Sequence, residues 1–151
     1  MGRQAPTAIP MDRSRCMTKE ILEQVRALHL PLGSYALFGS GPLGVRGLRE
    51  IHDADIIVHR ELFDALRLSP DWTYERKASG SECLHQGDIE IFDTWAPEAW
   101  DVAKLIAEAE MIEGLPFVKL EEVKRWKNLR FSDKDKKDLE LIAAYEKISS
   151  A

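Results

Sequence analysis

A chain of 151 residues with 44% hydrophobic content has the size of one compact domain and enough apolar material to bury a core. Its formal charge of -5 argues against a protein that coats nucleic acid by bulk attraction, while a local basic patch could still hold phosphates. Two distant cysteines, Cys16 and Cys83, with no CxxC, indicate neither a disulfide framework nor a zinc knuckle and fit a reducing cytoplasm.

The first residues, MGRQAPTAIPMDRSRC, lack periodicity and the apolar centre of an export signal, so residues 1–16 read as a loose extension before one domain spanning 17–151. Thr18 followed by Ile21, Leu22, Val25 and Leu28 predicts a capped first helix that ends near Pro31 and Gly33. YALF, from Tyr35 to Phe38, is a short buried strand closed by Gly39-Ser40-Gly41, and Leu43 to Leu48 can form a short helix. DADIIV is a second strand, and ELFDALRL is a helix stopped by Ser69-Pro70.

Three pieces around WTYER, SECLH and DIEIFDTW are separated by glycine turns and read as antiparallel strands. A helix follows from about Asp101 to Glu108, then LPFVKL as a last short strand. Two closing helices carry Val123, Trp126 and Lys127 in one and Leu139, Ile142, Ala143 and Ile148 in the other. The expected fold class is α+β: a mixed, largely antiparallel sheet flanked by helices. No run approaches the roughly 18 apolar residues that cross a bilayer, so no membrane role is expected.

Gly39, Gly41 and Gly44 spell a G-x-G-x-x-G after a strand, but three features oppose a dinucleotide site. Pro42 interrupts the fingerprint, Asp53 and Asp55 stand at the start of the next strand rather than its end, and no second βαβ half follows. Val45-Arg46 occupies the place where a phosphate-loop NTPase needs Lys and Ser or Thr. The carboxylates offer a third reading. Residues i and i+2 of a strand lie about 6 to 7 Å apart on one face, so Asp53 and Asp55 can aim at one spot. Two such acids repel unless a cation sits between them, and Mg²⁺ is the oxygen-seeking ion that suits them. The Gly-Ser turn facing them offers N–H donors and a hydroxyl to an anion.

Asp88 and Glu90 share one face of a strand that could lie beside DADIIV, so either can supply a third acid to hold a second ion or deprotonate an attacking hydroxyl. Each piece also has an ordinary reading. An Asp-x-Asp can be a solvated strand end, edge acids discourage aggregation, and the glycines can simply turn the chain.

Phe38-Gly39-Ser40, then Gly41 to His52, then Asp53-Ala54-Asp55-Ile56, resembles the signature of the minimal nucleotidyltransferase family, relatives of the DNA polymerase beta-type fold. Glu90-Ile91-Phe92 best fits the family's third acid, usually Asp, with Asp88 as a close competitor. Lys134-Asp135-Lys136-Lys137-Asp138 is similar to the element that begins the family's last helix. The resemblance implies transfer of a nucleoside monophosphate from an NTP to an acceptor hydroxyl. Asp53, Asp55 and Glu90 would hold two Mg²⁺ ions, and Gly39 and Ser40 would hold the outer phosphates. Lys127, Lys134 and Arg46 are further candidates for phosphate contact, although KDKKD also suits a solvated helix and Arg46 could cap the short helix. The acceptor is open between a small molecule, RNA and protein. The rival expectation is a noncatalytic nucleotide-binding or antitoxin-like module that works with a partner protein.

Overall fold

The computed structural model describes residues 13–97 and 100–150 of the chain. Residues 1–12 of the expected extension lie outside the described residues, and the rest of it is already helical: α1 runs Arg13–Ala27. Thr18 is therefore not a cap. It is a buried position inside α1, and its Oγ1 accepts a hydrogen bond from the Ile51 N–H at 3.2 Å, tying the helix to the loop that precedes the second strand.

The chain continues through β1 (Tyr35–Phe38), α2 (Gly41–Gly44), β2 (Ala54–Val58), α3 (Arg60–Arg67), β3 (Thr73–Arg76), β4 (Glu82–Gln86) and β5 (Ile89–Phe92). It ends with α4 (Val102–Ala107), β6 (Glu110–Ile112), β7 (Leu115–Phe117), α5 (Leu120–Arg130) and α6 (Asp133–Ser150). The seven strands form one sheet in the order β3-β4-β5-β2-β1-β7-β6. Four of its pairings are antiparallel, while β2–β5 and β1–β7 are parallel. The fold is α+β with a mixed sheet, as the segment pattern implies.

Two local differences have plain causes. The short helix begins at Gly41 instead of Leu43, because Pro42 has the fixed φ that suits a first helical turn. It ends by Gly44, and Gly47 adopts φ +74° just beyond. The sequence also hides β6, a three-residue edge strand with largely exposed side chains.

Strand alternation divides the core between the two faces of the sheet. Leu37, Ile56, Val58, Leu84 and Ile91 pack against Ile21, Leu22 and Val25 of α1 and Phe63 of α3. Ala36, Phe38 and Ile57 face the other way, onto Leu105 and Ile106 of α4, Val123 and Trp126 of α5, and Ile142 of α6. Phe38 anchors this second layer, with its ring stacked on Trp95 at 4.5 Å and edge-on to Trp100 at 5.8 Å. Among the described residues, no helix is long and apolar enough to cross a membrane.

Candidate functional site

The turn after β1 and the acid in β2 are pressed together. Antiparallel pairing sets Phe38 opposite Asp55, and Gly39 follows at φ +62°. A Cβ built at Gly39 would lie 2.6 Å from Asp55 Oδ2, so this position needs glycine both for its backbone and for its contact with the carboxylate. Ser40 is half-buried beside it and its hydroxyl forms no cap. Its carbonyl accepts from the N–H groups of Leu43 and Gly44 at 3.0 and 2.9 Å. Pro42 has no N–H to give, so any anion held by this bend must rely on Gly39 to Gly41 and the Ser40 hydroxyl.

Parallel pairing of β2 with β5 sets Asp55 directly opposite Glu90, which puts the two carboxylates on one face in neighbouring strands. Asp53 stands two residues earlier and is exposed. Asp55 is pushed up to about 7, first by burial and then by the charges of Asp53 and Glu90, against the opposing pull of Lys77 and Arg130. Asp88 lies at the exposed turn before β5, where its carbonyl accepts from the Ala54 N–H at 3.0 Å. Of the two candidates for a third acid, Glu90 is thus the one set in register with Asp55.

A pocket of about 310 Å³ opens over this pair, bounded by Asp55, Glu90, Lys77, Trp95, Trp126 and Arg130. Lys77, delivered by the β3–β4 hairpin, lies with Nζ 3.5 Å from Glu90 Oε2. Arg130 ends α5 with its guanidinium 4.1 Å over the Trp126 ring and forks onto Asp135 at 3.2 and 2.7 Å. Neither cation stands out in the sequence. Lys77 is found only once the hairpin register is known, and Arg130 only once Asp135 is seen to face inward.

The three cations expected at phosphate lie elsewhere. Lys127 is 2% exposed, with Nζ 2.8 Å from Asp138 Oδ2 and 3.6 Å from Asp135 Oδ1. Arg46 donates to the Pro42 carbonyl at 2.7 Å and to Glu110 at 2.8 Å, which fastens α2 to β6. Both are engaged with partners inside the protein, and neither borders the pocket over Asp55 and Glu90. Lys134 is exposed on the first turn of α6 and does not line the pocket.

The Lys-Asp-x-x-Asp element acts through its acids. Ser132 and Asp135 bond each other's backbone N–H groups at 3.0 and 3.1 Å, a reciprocal cap for α6. Burial alone would raise the Asp135 carboxyl, yet the bonds from Arg130 and Ser132 hold it well below the usual range. Asp138 receives Arg49 at 2.8 and 3.3 Å as well as Lys127. These pairs fix α5, α6 and the loop before β2, and they hold Arg130 at the pocket rim.

A larger cavity of about 800 Å³ lies between α1 and the loop after α2. Its arginines are engaged, Arg26 with Glu23 at 3.0 Å and Arg49 with Asp138, and no strand acid borders it. Comparison with known proteins gives no matching family model, no matching curated protein and no matching solved structure. The acid row and its pocket are therefore judged on their own geometry.

Proposed function

We propose that the chain is a divalent-metal-dependent nucleotidyltransferase that moves a nucleoside monophosphate from an NTP to an acceptor hydroxyl. One observation carries this reading: Asp55 and Glu90 are paired in register on one sheet face with the Gly39 bend packed onto the Asp55 carboxylate. Asp55, raised by burial and by the charges of Asp53 and Glu90, forms with them a donor set of hard oxygens, which fits Mg²⁺.

Asp53, Asp55 and Glu90 would hold a pair of Mg²⁺ ions, which when bound neutralise charge gathering on the transferring phosphorus. Gly39 and Ser40 would orient the outer phosphates from the bend. Glu90 would take the proton of the acceptor hydroxyl as its oxygen bonds to the α-phosphorus. The bond to the bridging oxygen then breaks, and pyrophosphate leaves with the electron pair. Arg130 and Lys77 replace Lys127, Lys134 and Arg46 as the cations facing the charged end, and Trp95 with Trp126 offers an aromatic wall to a base.

The noncatalytic alternative keeps one observation in its favour: Lys127 and Arg46 are both engaged inside the protein, which leaves few cations for a triphosphate. Labelled NTPs offered to RNA, protein and small-molecule acceptors separate the two. Mg²⁺-dependent transfer that is lost in Asp55→Asn supports the enzyme. Nucleotide binding without product, or a stoichiometric copurifying protein, supports the module. A cytoplasmic setting is proposed from the low cysteine count.

A further inference from the structure

We propose that Glu75, Cys83 and His85 form a binding site for a zinc-type transition-metal dication, beside the acid row but sharing none of its residues. Glu75 of β3 is the direct antiparallel partner of Cys83 in β4. His85 lies two residues beyond Cys83 and so projects from the same face. Glu75 Oε1 is 3.1 Å from His85 Nε2 and 3.8 Å from Cys83 Sγ, and one donor atom from each side chain falls within 4.8 Å of the others.

The two distances from Glu75 Oε1 are close to the edges of a coordination tetrahedron. With Zn–N and Zn–O bonds of about 2.0–2.1 Å and a Zn–S bond of about 2.3 Å, ligand atoms stand about 3.3 Å apart for N and O, and about 3.6 Å apart for S and O. A second observation points to a ligand. His85 Nε2 is buried and makes no hydrogen bond among the described residues, although the Glu75 carboxylate stands 3.1 Å from it. A buried ring nitrogen left unpaired is costly, and coordination would satisfy it.

The donor set also selects the ion. A thiolate, an imidazole and a carboxylate favour Zn²⁺ over Mg²⁺, which prefers oxygen alone. Three protein ligands leave the fourth position to water, and on binding the Cys83 thiol gives its proton to solvent. The facing charges are Glu90, set opposite His85 in β5, and Lys77, whose ammonium acts on Glu75, Cys83 and Glu90 together. A metal here would pin the β3–β4 hairpin, and with it the Lys77, Ser79 and Ser81 wall of the pocket. This site does not depend on nucleotide transfer.

Co²⁺ titrated into the full chain tests it. The expected result is a stoichiometric thiolate-to-cobalt charge-transfer band with the intense visible bands of four-coordinate Co²⁺, displaced by Zn²⁺. The band should be lost in Cys83→Ser and His85→Ala, weakened in the exposed Glu75→Gln, and kept in Cys16→Ser and Asp55→Asn. Circular dichroism and melting in chelator confirm that each variant is folded. Should Cys83→Ser unfold, loss in folded His85→Ala with weakening in folded Glu75→Gln carries the test. Absence of the band in the wild-type chain, its survival without Cys83, or its loss with Cys16 overturns the assignment.

Discussion

Two clusters of charge in this molecule are built from the same residue types and behave oppositely. In the clamp between α5 and α6, Asp135 and Asp138 meet Arg49, Lys127 and Arg130, so every buried acid has a cation. Beneath the pocket, Asp55 feels burial and the charges of Asp53 and Glu90 more strongly than the opposing pull of Lys77 and Arg130. The consequence is visible in proton affinity: Asp135 is held well below the ordinary carboxyl range, while Asp55 is pushed up to about 7. Acids each matched by a cation are held ionised, whereas acids gathered against one another hold a proton more tightly, the condition under which the proposed Mg²⁺ would bind.

The clamp should show the largest effect. Asp138→Ala leaves Lys127 and Arg49 facing a gap, and breaking such a buried pair costs about 3–5 kcal/mol, read from urea unfolding. A loss below about 1 kcal/mol would erase the contrast between the regions.

The acid row should respond with the opposite sign. A folded-state carboxyl raised from 3.8 to about 7 binds its proton more tightly in the native protein than in the unfolded chain. Its stabilising contribution is full below pH 3.8 and is lost as pH rises through about 7. Without metal at pH 8, Asp55→Asn should therefore be more stable than wild type, by at most about 4 kcal/mol before allowance for water at the pocket mouth. Added Mg²⁺ should raise the melting temperature of wild type and leave the variant unchanged.

A smaller effect is expected at the bend. Gly39→Ala meets both a positive φ and the Asp55 oxygen, so it should cost about 1–2 kcal/mol and weaken the Mg²⁺ response. Smallest of all, Lys134→Ala removes an exposed side chain and should stay within about 0.5 kcal/mol of wild type, with nucleotide binding unaltered. Since Lys134 and Lys127 read alike in the sequence, the pair sharpens the comparison.

The acid row was legible because strand alternation is a strict rule: once DADIIV and DIEIF are read as strands, Asp55 and Glu90 each have a definite face. What could not be read was the pairing itself. The parallel alignment of β2 with β5 depends on the order of strands in the sheet, and it is that alignment which sets Glu90, and not Asp88, opposite Asp55. The clamp was misread because KDKKD alternates in sign like a solvated helix. Yet Asp135 and Asp138 are three residues apart, so they share one side of α6, and that side is buried. Thr18 misled in a similar way, since a threonine before an apolar stripe suits a cap, but here it serves Ile51 from within the helix. Lys77 and Arg130 gave no local signal, because only tertiary neighbours bring them to the pocket.

Isothermal titration of a non-hydrolysable NTP into wild type and Asp55→Asn, each with and without Mg²⁺, tests the central claim most directly. The account predicts binding by the wild-type chain that requires Mg²⁺ and vanishes in the variant. Binding that ignores both the metal and the substitution, or no binding under any condition, would contradict it.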